Sequence, residues 1–593
     1  MTGVWAPRSS TGDRNRPRRS SYAAREEVKL NQDDSESERQ FFKTIKKIGQ
    51  ISELWPLILP KFNVANHHPI KGPVRTDEYI PIETATSSVQ PNILICVIDA
   101  LRADRVGALG GRELTPNIDD FADDAAVFSR AFTTINTTDP AITSINTGRY
   151  PLSHGVLNHG WRVSDEEKQG IQEVPQLPEL LLDAGYGTAK FGRPLGRWHR
   201  RGFEQYPETG EWRDSKDVDS LTEAEMQLSS RLASIDPRLR SAASWIYERT
   251  GQPFRDLLSS DVSKSEIGRT DITEQLSSFV DSGSPFFAFV HMMDPHVPYD
   301  VESTVTRQCL EQFEYENTPL SDWAEQYSDD SFSYERLQKG GRIHDTAKPW
   351  VDTEYGLGTA VVDAQYDASV RTADRRVGEL LSVLEESNTL DQTLVILLSD
   401  HGESLTEHGI LYDHHGLYDP TIRIPLLVRP PGGVTGNIHS DFIQTTDILP
   451  TISSYTTIET PSPVNGESLK PTIERGESTH RDVILAEEAH TQRRRMIRTT
   501  EEKLIYSLDG ETICRYCGVE HAPPEELYLF DGDMPKQENR ASEFQDRVTE
   551  LRKLAETRAE TLSEQSPGRT DTGSVDYEDE EEIYDRLEAL GYK

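Results

Sequence analysis

Two acidic residues stand where chemistry could be done. Asp99 follows the apolar run PNILICVI, and Asp400 follows TLVILLS with His401 and Gly402 directly after it. Open α/β sheets bind ligands beyond the carboxyl ends of their strands. Two carboxylates and an imidazole converging there make a donor set for a divalent metal. A lone Asp after a strand would be read as a turn or N-cap residue; a pair, the second beside His401, favours a site. The third element is FTTINTTDPAITSINTGRYPLSHGV, residues 132–156. Its Thr138-Asp139-Pro140 predicts a helix start, with Thr138 as N-cap and Pro in the first turn. A helix N-terminus also suits an anionic tetrahedral group. A hydroxyl held there becomes a nucleophile if a metal lowers its pKa.

These groups need a scaffold, and the hydrophobic pattern supplies one. PNILICVID is nearly continuous in apolar residues, as a strand buried on both faces of a parallel sheet should be. Residues 393–399 repeat the pattern. They follow a periodic helix that places Val370, Val377, Leu380, Leu381 and Leu384 on one face. SPFFAFVHM (284–292) and IRIPLLVR (422–429) predict a third and a fourth strand. Strands alternating with helices indicate an α/β, doubly wound sheet. We therefore expect a polar extension over 1–90 and a catalytic domain over 91–480 with a rim insertion at 204–360. DVILAEE, RRRMIRT and KLIYSL predict a small antiparallel subdomain over 481–565. An acidic tail and terminal helix, with Ile583, Leu587 and Leu590 on one face, fill 566–593. Cys514 and Cys517 form a lone CxxC near His521, better read as a hairpin pair than as a zinc knuckle lacking a fourth ligand. Cys96 is a core residue of the first strand.

Composition narrows the partners. Among 593 residues, 63 Lys plus Arg against 101 Asp plus Glu give a net charge of −38. Such a field repels nucleic acid. The Lys count is 17 and the Arg count 46; acidic excess with Arg favoured over Lys resembles proteins of a high-salt cytoplasm, where screening suppresses self-repulsion. Hydrophobic residues make up 35%, yet 8 Trp, 21 Tyr and 18 Phe suffice for a core. No apolar run reaches about 18 residues, so no transmembrane segment is expected. The Arg-rich start lacks the apolar stretch of an export signal, and four cysteines are too few for a disulfide framework. A cytoplasmic location is the expectation.

In order along the chain, PNILICVIDALRADRVG, TPNIDDFADDAAVFSRAFT, TGRYPLSHGV, HMMDPHVPY, LVILLSDHGESLTEHG and LYDPTIRIPLLVRPPG resemble the sulfatase family of the alkaline-phosphatase-like superfamily. The resemblance continues through TTDILPTI, VNGESL and ELYLFDGDMPKQEN, and is weakest over 204–360. It implies that fold and a metal-dependent reaction at an ester bond. Sulfatases oxidise the first residue of a C/S-x-P-x-R motif to formylglycine. Here that position falls on Thr138, a secondary alcohol, and the Arg on Ile142, so no formylglycine is expected. Relatives with Thr at this position use it as a metal-bound nucleophile on phosphoesters. Ala100 stands where calcium sulfatases carry a second consecutive Asp. With His401 present, the implied ligands Asp99, Thr138, Asp400 and His401 favour one Mn²⁺ or Zn²⁺, with Ca²⁺ possible. By the same resemblance His296 is the substrate-side proton donor, Arg197 and His199 match a GKWH segment, and His414 or His415 falls near a substrate-binding Lys. Arg149 is a further cation for an anionic substrate. The favoured substrate is a small phosphate ester or phosphodiester, free or glycan-linked. The alternatives are a sulfuric-ester hydrolase without formylglycine and a non-catalytic binder of anionic glycans.

Overall fold

The first strand forms because Asn92–Ile98 has β-branched or apolar residues at six of seven positions, and those six are buried. It is an interior strand of a seven-stranded sheet in a computed structural model. The structure describes residues 90–207, 272–281, 285–297, 299, 301–320, 358–514, 520, 522–531, 534–535 and 538–567. Numbering strands along the chain, β1 is Asn92–Ile98, β2 Ala126–Phe128, β3 Ala131–Phe132, β4 Gly187–Gly192, β5 Phe286–Met292, β6 Thr393–Leu398, β7 Arg423–Ile424, β8 Leu426–Arg429, β9 Asn437–His439 and β10 Ile443–Gln444. The main sheet runs β4-β5-β1-β6-β8-β2-β9. Its neighbours pair in parallel except at β8, which runs antiparallel to both β6 and β2.

Alternation along β1 sends side chains to two cores, so helices are needed on both faces. Leu94, Cys96 and Ile98 share one cluster with Ile118 and Phe121 of α1 (Pro116–Ala122). Phe279 of α4 (Ile272–Val280) and Val370, Val377 and Leu384 of α5 (Thr359–Glu386) complete it. Ile93, Ile95 and Val97 face the other cluster. There they meet Ile142 and Ile145 of α2 (Thr138–Thr147), Leu177 and Leu181 of α3 (Leu177–Asp183) and Ile448 and Leu449 of α6 (Ile448–Tyr455). The sheet is doubly wound.

Two details differ from the sequence expectation. Residues 286–292 lie between β4 and β1, so this part of 204–360 is interior sheet rather than rim. IRIPLLVR is not one strand. Pro425 has no N–H to donate to a ladder, and the run splits into β7, which joins β3 and β10 in a three-stranded sheet, and β8 of the main sheet.

The C-terminal sheet is antiparallel, in the order β11 (Ile484–Glu488), β12 (Arg494–Arg498), β13 (Glu502–Ser507), β14 (Glu525–Asp531), β15 (Met534–Pro535). Leu485, Ile497, Leu504 and Tyr506 pack under Val548, Leu551 and Ala555 of α7 (Gln545–Ser563). Ile484, Ala486, Met496 and Ile505 of the opposite face pack with Phe132, Leu417 and Ile422 of the catalytic body. Among the described residues no helix is long and apolar enough to cross a membrane. Residues 1–89 of the expected 1–90 extension and the helix expected near the C-terminus lie outside the described residues.

Candidate active site

Parallel pairing of β1 with β5 and β6 brings three strand ends together. Asp99 leaves β1 with its N–H on Met292 O (3.0 Å). Asp400 and His401 follow β6, and all three side chains are fully buried. Asp400 Oδ1 accepts the N–H groups of His401 (2.9 Å) and Ala100 (3.4 Å), while its Oδ2 has no hydrogen-bond partner. Asp99 Oδ2 accepts Arg193 Nη1 (2.5 Å) and faces His291 Nε2 at 3.3 Å; its Oδ1 has no partner either. Buried, orphaned carboxylate oxygens are costly unless something cationic meets them.

His401 completes the set. Its Nδ1 is 2.9 Å from Gly402 O and donates to it, which fixes the tautomer and leaves the Nε2 lone pair facing inward. That nitrogen lies 3.3 Å from Thr138 Oγ1, 3.6 Å from Asp99 Oδ1 and 3.5 Å from Asp400 Oδ2. Ligands about 2.1 Å from a tetrahedral metal are separated by about 3.4 Å, so each of these three separations from His401 Nε2 suits a pair of ligands on one divalent cation. Thr138 is the first residue of α2, and the N-cap is Thr137 rather than Thr138. Burial alone would raise both carboxyls. For Asp99, the facing His296 and Arg193 outweigh it and hold the group well below the usual carboxylate range. Asp400 is pushed up to about 6 by burial and by the charge of Asp99. Without a cation, one of the pair carries the charge and the other yields.

Two residues were not anticipated. His291 sits in β5 opposite Val97, and Asp99, His291 and Asp400 each offer a donor atom within 4.8 Å of the others. Burial pushes its pKa down to about 3 against the pull of Asp99, so it is neutral and able to ligate. The signal was present: His291 is the one polar side chain in FFAFVHM. Arg193 is the second. It belongs to the same segment as Arg197 and His199, but the guanidinium at Asp99 is that of Arg193.

The other sequence candidates scatter. Arg197 opens a short 3-10 turn, Arg197–Arg200, and its side chain lies outside what is described. His199 is committed to Asp139, with Nε2 3.1 Å from Oδ1. Asp139 Oδ2 meets His159 Nδ1 at 2.8 Å and accepts the Gly160 N–H at 2.7 Å. Burial opposes the charge on Asp139, but His159 and His199 hold its pKa well below normal. Arg149 lies beyond the far end of α2, about 15 Å along the axis from Thr138 at 1.5 Å per residue, so the fold does not bring it to the site. His296 does face it: its ring centroid is 6.4 Å from that of His401 and 5.7 Å from that of His414. His296 Nδ1 is 2.6 Å from Val297 O, and burial, with Arg193 and His401 adding to it against Asp99, lowers its pKa to about 4. The His414 ring lies 4.5 Å from that of His401. His415 is one step removed, with Nε2 3.3 Å from Asp413 and Nδ1 3.7 Å from Cys514 Sγ. Cys517 and His521 lie outside the described residues.

Residues 91–458 match the family described as sulfatase, and 406–553 match the C-terminal region of N-sulphoglucosamine sulphohydrolase. An arylsulfatase of Clostridium perfringens is 24% identical over 496 residues, covering 79% of this chain and 94% of the relative. The multifunctional alkaline phosphatase superfamily protein PehA of Trinickia caryophylli is 24% identical over 419 residues, covering 65% and 77%. Among solved structures, a phosphonate monoester hydrolase of Agrobacterium radiobacter superposes with a TM-score of 0.55 at 19% identity, over 79% of this chain and 96% of the other.

Proposed function

The chain belongs to the sulfatase family and is a sulfatase-like ester hydrolase; from that premise we propose that Thr138 is its nucleophile and that its substrates are phosphate esters or phosphodiesters. One observation carries the reading: a threonine hydroxyl at a helix N-terminus lies 3.3 Å from His401 Nε2, and the sequence resemblance puts this threonine at the family's formylglycine-precursor position. Asp99, Asp400 and His401 would hold a divalent cation with Thr138 Oγ1, and His291 flanks the set. Two carboxylates and up to two imidazoles favour Mn²⁺ or Zn²⁺ over Ca²⁺. Such a cation, when bound, acidifies the hydroxyl and neutralises an ester oxygen.

The protein's own groups account for the rest. In the first step Thr138 Oγ bonds to phosphorus, the bond to the leaving oxygen breaks, and the leaving alkoxide takes a proton. In the second, water or an acceptor alcohol bonds to phosphorus, the Thr138–phosphorus bond breaks, and Thr138 regains its proton. Arg193 stabilises charge on the transferring group. His296 rests neutral with its Nδ1 proton on Val297 O. It therefore serves first as the base on the attacking nucleophile, and donates a proton to the leaving group once a bound anion has raised its pKa.

The second reading, a sulfuric-ester hydrolase, is favoured by relatives that carry sulfatase names, such as the arylsulfatase. Against it, a threonine sulfate lacks the elimination route a formylglycine hemiacetal provides. Turnover of nitrophenyl phosphate, bis-nitrophenyl phosphate and nitrophenyl sulfate with Mn²⁺, Zn²⁺ and Ca²⁺ in high salt separates the two. Mass spectrometry should find a phosphoryl adduct on Thr138; sulfate turnover alone, with no such adduct, refutes the proposal.

A further inference from the structure

Strand β4 carries a lysine the chemistry above does not use. Lys190 is only 3% exposed, in a sheet position facing Phe289 of β5. A buried ammonium is expensive unless it is met by partners. Here they are a carbonyl and two aromatic faces. Nζ donates to Arg193 O at 2.6 Å and lies 5.4 Å and 5.8 Å from the ring centroids of Phe289 and Tyr206. Burial, and then the nearby Arg193, push the Lys190 pKa down to about 7 against the opposing pull of Asp99.

The carbonyl it holds belongs to a tightly built corner. β4 ends at Gly192, where φ is +82° and a Cβ would lie 2.1 Å from His291 O, so the chain can turn across β5 only at a glycine. Arg193 N–H then donates to His291 O at 2.9 Å. Two residues on, Leu195 N–H donates to Tyr206 Oη at 3.1 Å. Arg193 is thus clamped at its N–H by β5 and at its carbonyl by Lys190, and its guanidinium is delivered to Asp99 Oδ2 at 2.5 Å.

We propose that Lys190 is a positioning residue for Arg193: its ammonium, by holding the Arg193 carbonyl, sets the guanidinium on Asp99 and on the oxyanion of the bound ester. The proposal rests on the reading above only in taking the anion to be an ester group.

A double-mutant cycle tests it. The full-length, Mn²⁺-loaded protein and its Lys190→Met, Arg193→Met and doubly substituted forms are titrated with inorganic phosphate by calorimetry. Loss of one charge-assisted contact predicts about 10- to 100-fold weaker phosphate binding in Arg193→Met. Lys190→Met should weaken it about tenfold, and the double variant should be no weaker than Arg193→Met, because two residues acting as a unit are non-additive. Additive losses, or native affinity in a folded Lys190→Met, overturn the proposal. Mn²⁺ affinity gives a second readout. Arg193 competes with a cation for Asp99, so Arg193→Met should bind Mn²⁺ more tightly, Lys190→Met should do so less strongly, and the double variant no more tightly than Arg193→Met. A parent protein that binds Mn²⁺ but not phosphate counts against the ester reading and leaves the coupling measurable in Mn²⁺ affinity. If Lys190→Met does not fold, Lys190→Gln retains a donor and should stay within about threefold of the parent in phosphate affinity; a loss as large as that of Arg193→Met would overturn the proposal.

Discussion

Ala100 is the substitution most informative about the cation. It follows Asp99, is fully buried, and has φ +62°. Its N–H reaches Asp400 Oδ1 at 3.4 Å and its carbonyl accepts the Tyr366 hydroxyl at 2.8 Å. Among side-chain-bearing residues, Asp tolerates this left-handed backbone better than most, so Ala100→Asp adds a third carboxylate without new backbone strain. At separations of about 5 Å and an effective dielectric of about 20, its repulsion from each of the other two costs about 3 kcal/mol, about 6 kcal/mol in all. The group can escape by keeping its proton, which at pH 7 costs about 4 kcal/mol from a reference pKa near 3.9. The smaller figure sets the ceiling, so the metal-free variant should lose up to about 4 kcal/mol of stability at pH 7. A carboxyl raised in the folded state costs nothing below its unfolded pKa and its full penalty above its folded one. The deficit should therefore shrink as pH falls from 7 towards 4. A bound cation reverses the balance, and a third hard oxygen suits Ca²⁺ most. We expect the ratio of Ca²⁺ to Mn²⁺ affinity to rise about tenfold or more, since a tenfold change needs only about 1.4 kcal/mol. Calorimetric titration of chelator-treated protein and thermal melts at pH 5 and pH 7 measure both effects. An unchanged ratio in a folded variant, or a metal-free melt indifferent to the added carboxyl, would refute the argument that carboxylate count selects the ion.

Three further outcomes follow from the same geometry. Thr138→Ala should lower kcat/KM about 10⁴-fold or more and abolish the adduct, while Thr138→Ser keeps a hydroxyl and part of the rate; steady-state kinetics and mass spectrometry check both. His291→Ala should weaken Mn²⁺ or Zn²⁺ about 10- to 100-fold if the imidazole ligates or orients the site, which direct titration reads without any substrate. Arg494→Met takes the guanidinium from Glu526, whose ion pair at 2.7 Å joins side chains only 2% and 3% exposed; the Tyr418 and Tyr528 hydroxyls still donate to the carboxylate, so the loss should be about 3 kcal/mol in denaturant unfolding. Removing both charges as Arg494→Met with Glu526→Gln should cost less.

How much of this was legible depends on how local each signal is. Asp99 and Asp400 stand out because a continuous apolar run must end where a buried strand ends, and Thr138 because Thr-Asp-Pro starts a helix. The same locality misled at Arg149, which shares a motif with Thr138 but lies at the opposite end of its helix. His291 and Arg193 were hidden for a different reason. His291 gains its role from the register that sets it opposite Val97, and Arg193 from a glycine corner that folds back over β5. The lone histidine in FFAFVHM marks a buried polar position, but nothing within either segment says which residue it will meet. Pro425 was legible in principle, since a residue without an N–H should have divided IRIPLLVR.

The net charge of −38 turns these corrections into one constraint. An anionic ester approaching an acidic surface needs local positive potential, and the sequence offered a bound metal, Arg149, Arg197 and the histidine cluster for that task. The fold assembles Arg193 at Asp99 with Lys190 behind it, while Arg149 lies beyond the far end of α2. A guanidinium at Asp99 Oδ2 occupies one side of the carboxylate, while Oδ1 remains open towards His401. The division has a consequence for the chemistry: one face of Asp99 binds a fixed, non-exchangeable cation and the other an exchangeable one. Stripping the metal should then leave part of the anion affinity in place, carried by Arg193, whereas Arg193→Met with metal stripped should leave almost none.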